Sequence, residues 1–392
     1  EEYYQRAQAL TSRVSTSEST TCAVHGGHGY CWGSDANGQV GNGAAGAVDT
    51  PYQLPLTDVT DITTSTWTTC AIAGGYGYCW GSNSYGQVGN GAPGIDVDTP
   101  YQLPLTDVTD ITTTGLTTCA VAGGHGYCWG SDANGQVGNG AAGDVDTPYQ
   151  LPLTGVTDIT TTGLTTCAVA GGYGYCWGRN NFGQVGNGAP GIDVDTPYQL
   201  SLTGVTDITT GGYTTCAVAG GYGYCWGDNV EGQVGNGAPG IDVHTPYQLP
   251  QPDVTDITTT GLTTCAIAGG HGYCWGSNGD GQVGNGTITD MPSPYPLPLT
   301  HVTGVTIDVW NTTCMISDRD AYCWGRNEYG QAGAGAGLEP GTPLLSNVAR
   351  IVVNSKTACA VAGAHGYCWG HNDAGQIGDG TNTDAPSPVQ VW

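Results

Sequence analysis

The stretch CAVAGGYGYCWG, Cys167 to Gly178, occurs eight times in slightly different spellings, each with two cysteines nine positions apart. In the copy CAIAGGYGYC, Gly74 and Gly75 lie midway between Cys70 and Cys79. A Gly-Gly pair supplies the positive φ angles of a two-residue primed hairpin turn. Counting outward from that turn, Ala73 faces Tyr76, Ile72 faces Gly77, Ala71 faces Tyr78 and Cys70 faces Cys79, with hydrogen-bonded and non-hydrogen-bonded pairs alternating. The cysteines fall on a non-hydrogen-bonded pair, where α-carbons come to about 4.5 Å, a separation that a disulfide bridges.

The spacing therefore predicts eight cross-strand disulfides: Cys22–Cys31, Cys70–Cys79, Cys119–Cys128, Cys167–Cys176, Cys216–Cys225, Cys265–Cys274, Cys314–Cys323 and Cys359–Cys368. The alternatives are buried free thiols or zinc ligands. Zinc sites usually pair cysteines two to four apart and add histidine; here Tyr76 stands where His28 does, and Ala73 where His25 does. Each bridge closes a short loop worth roughly 2.5 to 3 kcal/mol by the loop-entropy estimate. Such staples reduce the core that a sequence rich in Gly and Thr has to supply.

The first cysteines of the pairs are separated by 48, 49, 48, 49, 49, 49 and 45 residues. One supersecondary unit therefore repeats along the 392-residue chain. A typical copy, Thr50 to Asp98, has three or four short β-prone segments divided by Gly, Pro, Asn and Asp clusters. With 68 Gly and a single Phe, the composition points to an all-β fold. A period in the forties with several strands per unit predicts propeller blades.

Seven Lys plus Arg against 33 Asp plus Glu give a formal charge of −26. Such a field repels phosphate backbones and anionic headgroups, which excludes nucleic acid and membrane surfaces as expected partners. No apolar run approaches the roughly 20 residues of a spanning helix. Paired cysteines point to an oxidising compartment, hence an extracellular or cell-surface location.

The run YCWGSNSYGQVGNG, Tyr78 to Gly91, and its copies resemble the repeats of the regulator of chromosome condensation family, in the Cys-paired variety of secreted bacterial proteins. The resemblance implies a β-propeller of four-stranded blades around a central channel. The family's best-known members have seven blades, whereas eight units are counted here, so seven-bladed closure is the alternative to eight. Nuclear members promote guanine-nucleotide exchange and bind chromatin, work that needs basic segments absent from this chain. A secreted relative inhibits β-lactamases through its loop face, which is a fold-level analogy only.

Candidate chemistry is sparse. The hexamer GQVGNG, as at Gly86 to Gly91, recurs without the Lys or helix of a phosphate cradle and reads as a tight turn. Acidic pairs recur in DVTD (Asp58 and Asp61) and DVD, which read as solvated turn acids. If a hard cation binds, calcium at Asp96, Asp98, Asp193 and Asp195 is the first candidate. The Trp series beginning at Trp32 and Trp80 reads as packing between blades, with a sugar-binding ring as the alternative. No copy departs from the rest with a nucleophile or carboxylate constellation, so no enzyme and no cofactor is expected. Sequons stand at Asn285 and Asn311.

The ends are in surplus. Glu1 to Gln5 aligns on Asp49 to Gln53, so that Tyr4 and Gln5 fall on Tyr52 and Gln53, while Pro386 to Trp392 aligns on the same strand. One terminus closes the ring and the other pairs with a neighbouring subunit, through Tyr3, Tyr4, Gln5 and Leu10 or through Val389, Val391 and Trp392. Alternatively, Glu1 to Arg13 forms a short helix with Tyr3, Ala7 and Leu10 on one face. Residues 1–13 are thus an arm or closing strand, and 14–392 the propeller. The leading functional expectation is a non-enzymatic extracellular structural or adhesive component that self-assembles into fibres. The alternatives are a secreted protein-binding module or inhibitor and a carbohydrate-binding propeller, so the expected partner is a second copy, an extracellular protein or a glycan.

Overall fold

A computed structural model describes residues 13–392. They form eight antiparallel sheets in chain order, with no helix among the described residues. Each sheet is one blade. Blade 2 is typical: the innermost strand Val59–Thr64, then Thr68–Ala73, Tyr76–Gly81 and the outermost strand Val97–Thr106. The propeller has eight blades, so seven-bladed closure is set aside.

The hairpin register is the one that parity dictates. Cys70 faces Cys79, Ala71 faces Tyr78 and Ala73 faces Tyr76, while Gly74 and Gly75 have φ of 57° and 80°. All eight disulfides are formed, with α-carbons 4.1 Å apart in each.

Parity also decides how blades stack. Alternate residues of a strand point to opposite sides, so Cys79 and Trp80 face different neighbours. Trp80 packs on the Cys22–Cys31 disulfide of blade 1, while the Cys70–Cys79 disulfide receives Trp129 of blade 3. The relation runs round the ring and closes it, because Trp32 of blade 1 packs on Cys359 and Cys368 of blade 8. All eight tryptophans of the series are fully buried, which leaves none to line a sugar-binding ring.

Two blades depart from the pattern. Blade 7 has only three strands, Val302–Ile307, Thr312–Ser317 and Asp320–Gly325, against the four that the resemblance implies. Its expected fourth strand falls in GAGAGLEPGTPLL, where Gly and Pro break the alternating pattern and Pro lacks a donor. From that stretch Leu344 and Leu345 bond to the edge at Ala321, and the Gly337 carbonyl accepts Gly325 N at 3.1 Å, without forming a strand. In blade 8 the outermost strand is Ala385–Gln390, with Val389 opposite Cys368 and Gln390 opposite Tyr367. The C-terminus therefore occupies that position, and Val389, Val391 and Trp392 are engaged within their own ring. The innermost strand of blade 1 starts at Arg13; Tyr3, Tyr4, Gln5, Ala7 and Leu10 lie outside the described residues.

Candidate functional site

The recurrent GQVGNG turn holds one blade to the next. The carbonyl of its Gln accepts the indole N–H of the following blade's Trp at 2.9–3.0 Å in all eight interfaces, from Trp80 to Gln39 through Trp32 to Gln376. In seven of them the same carbonyl accepts a Thr hydroxyl, as from Thr69 at 2.8 Å. The eighth interface has Ala358 at the Thr position. The Gln side chain works in two directions. Gln87 Oε1 accepts Tyr85 N at 2.9 Å inside its own turn, while Nε2 donates to Gly115 O of blade 3 at 2.9 Å. Phosphate has no place in this turn; its polar groups are already used in packing.

Because the strands run up and down, loops joining the first to the second strand and the third to the fourth share one end of the propeller. Hairpin turns and inter-blade links share the other. The copies differ mainly at the first end. Before the Thr-Thr-Cys run, which is Thr-Ala-Cys in blade 8, stand Ser19, Trp67, Leu116, Leu164, Tyr213, Leu262, Asn311 and Lys356. Before the Gly-Gln pair stand Asn37, Tyr85, Asn134, Phe182, Glu231, Asp280, Tyr329 and Ala374. Trp67, Tyr85, Tyr213 and Leu262 are exposed. In blades 1–6 the opposite end repeats a Gly-Gly turn followed by Tyr or His.

Neighbouring tips touch. The Phe182 ring meets Tyr213 edge-on, centroids 5.3 Å apart, and the Arg179 guanidinium lies 5.7 Å from the Tyr213 ring. A second group spans blades 7 and 8: Arg326 and Lys356 lie 5.0 and 5.1 Å from the Trp310 ring, and Tyr329 packs on His371 at 4.4 Å. These contacts are partly balanced by Arg326–Glu328 at 2.8 Å and His371–Asp384 at 2.9 Å. Arg179, Arg326 and His371, at positions where the copies differ, are therefore built into the tips.

The sequence-derived candidates have definite places. Asp96 Oδ1 accepts Asn83 N at 3.2 Å, and Asp193 Oδ1 accepts Asn180 N at 3.1 Å, so both cap turns. The carbonyls of Asp98 and Asp195 accept Gly43 N and Gly140 N from the preceding blade, both at 2.9 Å. Among the described residues, no group of three or more His, Cys, Asp or Glu gathers to hold a metal. Asn285 Oδ1 accepts Thr287 N at 3.0 Å, and Asn311 Nδ2 donates to Asp280 Oδ2 at 2.8 Å.

The DVTD reading needs correction. Its first Asp is a turn residue: Asp58, Asp107 and Asp253 have φ near 56°, and Gly155 and Gly204 replace Asp where φ is again positive. The second is half-buried rather than fully solvated. Asp61, Asp110, Asp158, Asp207 and Asp256 line the central channel, where burial pushes their pKa values upward. Strict alternation along VTDITT does not signal this placement, because a register shift between Val59 and Asp61 is what puts Val59 and Ile62, three positions apart, both in the core; only Asp61, Ile62, Thr63 and Thr64 alternate.

Eight stapled blades clasped by Trp-to-Gln bonds around a channel define an eight-bladed β-propeller. The family model for the regulator of chromosome condensation repeat matches residues 172–218. The fold is similar to that of human WBSCR16, 18% identical over 93% of this chain and 94% of that one, with a TM-score of 0.65. It is also similar to Prp20p from Saccharomyces cerevisiae, 17% identical over 99% of this chain and 89% of that one, TM-score 0.63. The same yeast protein bound to Kap60 aligns at TM-score 0.62 with 16% identity over 99% and 86%. No curated protein sequence matches the chain.

Proposed function

We propose that this protein is a non-enzymatic binding module that holds a protein partner on its loop face, outside the cell or at its surface. The observation that carries this reading is the distribution of differences among near-identical blades. They gather at loop tips of one end and place Trp67, Tyr213 and Leu262 in solvent. Exposed aromatic side chains on a rigid scaffold are the usual anchors of protein interfaces. The yeast relative of this fold is described as binding Gsp1p and histones, which supports a protein partner in general. Eight disulfides are compatible with secretion, and no helix among the described residues is long and apolar enough to cross a membrane. Affinity capture with immobilised protein from the native extracellular fluid tests the reading. Trp67→Ala with Tyr213→Ala and Leu262→Ala should lose the captured partner, whereas Tyr76→Ala with Tyr173→Ala and Tyr222→Ala should retain it; the reverse pattern refutes the assignment.

A second reading, the adhesive or fibrous component, is favoured by one observation. The C-terminal strand fills the outermost position of blade 8, so the strand-like Tyr4-Gln5 sequence matches a position already taken. Electron microscopy with and without residues 1–12, a truncation that keeps Arg13 in the innermost strand of blade 1, tests assembly through that segment. Fibres lost on truncation support it, and single propellers in both samples overturn it.

A further inference from the structure

Each innermost strand places one residue at the same level of the channel, paired with the second strand at matching positions. These are Asp61, Asp110, Asp158, Asp207 and Asp256 in blades 2–6, then Gly304, Arg350 and Arg13 in blades 7, 8 and 1. All but Gly304 border a cavity of about 460 Å³ whose remaining lining is Ser, Thr, Val and Ile, so among the described residues no other ionisable side chain faces them there. The two guanidiniums sit on one side of the ring. Arg13 Nη1 lies 3.4 Å from Asp61 Oδ2, and Arg350 is held below its ordinary value by burial and by Arg13, with Asp61 opposing. Gly304 supplies no charge. Asp110, Asp158, Asp207 and Asp256 therefore form a run of four carboxyls in adjacent blades, beyond the paired Asp61.

We propose that this run makes the channel a pH-responsive brace: ionised, the four carboxyls oppose closure of the ring, and protonated on mild acidification they cease to do so. Burial first, and then the carboxylate of the next blade, raises Asp110, Asp158 and Asp207 to about 6, while backbone amides such as those of Ile111 and Ile159 oppose the shift at Asp110. Burial also raises Asp256. In the unfolded chain these groups release their protons near 3.9. Between that value and about 6 the folded protein binds more protons, so stability falls as pH rises through this window, and the loss is complete above it. The ring is held more tightly in a mildly acidic medium than at neutral pH.

The test compares thermal midpoints from pH 4.5 to 7.5 at constant salt, disulfides intact. The samples are the wild type, a channel variant (Asp110→Asn, Asp158→Asn, Asp207→Asn) and a control with the same charge change at the inter-blade links (Asp58→Asn, Asp107→Asn, Asp253→Asn). The wild-type midpoint should rise on acidification. The channel variant should exceed it at pH 7.5 by on the order of 5 °C and lose most of the pH dependence; the control should keep the wild-type slope. Parallel slopes for wild type and channel variant overturn the proposal, as does equal flattening in the control, which would assign the effect to the overall charge of −26. If the channel variant fails to fold, carboxyl ¹³C titration of the wild type decides: midpoints near 6 for channel aspartates support the brace, and midpoints near 4 overturn it.

Discussion

The blade-to-blade clasp predicts an energetic coupling between a glycine and a tryptophan forty positions later. Gly186 has φ of +82°, and a Cβ built on it would stand 2.7 Å from Trp226 Nε1 and 2.9 Å from Leu200 Cδ2. Gly186→Ala therefore incurs about 1 kcal/mol for a left-handed non-glycine residue and about 1–3 kcal/mol for overpacking a close-packed interface. Gly171, in the hairpin turn of blade 4, has φ of +58° with nothing within 4 Å of its Cβ position. Gly171→Ala should lose only the conformational part. Trp226→Phe removes the indole nitrogen that the added methyl group at position 186 would strike, and Gln184 O keeps the Thr215 hydroxyl at 2.8 Å. In that background Gly186→Ala should keep the conformational cost and the contact with Leu200 but lose the clash with the indole nitrogen, giving a coupling of about 1–2 kcal/mol in urea denaturation with disulfides intact. Additivity within about 0.5 kcal/mol, or equal losses at Gly171 and Gly186, would refute the argument.

Other consequences are as direct. Intact mass should rise by sixteen hydrogens on reduction, and alkylation of the unreduced protein should label no thiol, since all 16 cysteines are paired; labelling before reduction would contradict the pairing. Asp35 and Asp132 stand where the other blades carry Asn; each has one oxygen bound by Val40 N or Val137 N at 2.8 Å and the other buried without a partner. Burial raises both to about 6, so Asp35→Asn and Asp132→Asn should each stabilise by about 1 kcal/mol at pH 7.5. The gain should shrink as pH falls below 6, where the folded Asp carries a proton; a gain independent of pH would refute this. Trp392 packs edge-on against Trp32, centroids 6.0 Å apart, and fills the space above Gly366 at the closing interface. Trp392→Ala should cost about 2–4 kcal/mol in urea denaturation, and a neutral effect would show that the ring closes without it.

The hairpin was legible because two constraints coincide: Gly-Gly fixes the turn, and strand parity then fixes every cross-strand pair, cysteines included. Parity also put Trp80 opposite Cys79, but it could not say which neighbour each side meets. That needed the direction of travel round the ring, which places Trp on the preceding blade's disulfide. Likewise, the turn role of GQVGNG was readable from its glycines, whereas the carbonyl of Gln39 receiving Trp80 across an interface was not, because backbone groups leave no mark in the sequence. The missing fourth strand of blade 7 departs from the four-stranded expectation; its trace in the sequence is the shortened 45-residue spacing and the Gly- and Pro-rich GAGAGLEPGTPLL. The channel aspartates were misread for a physical reason. Asp58 and Asp61 look alike as letters, yet one sits in a left-handed link and the other points from an innermost strand into a half-dry cavity. Loop-tip variation was present in the aligned copies all along; it acquired meaning only when the up-and-down topology put both variable positions at the same end.

Site-specific photocrosslinking tests the binding face most directly. A photoreactive phenylalanine derivative placed at 67, 213 or 262 should crosslink the full-length protein to one partner of defined mass in its native medium, and the same group at 76, 173 or 222 should not. Crosslinks arising from the second set alone would contradict the assignment of the loop face, and the absence of any from both sets would contradict the binding module itself.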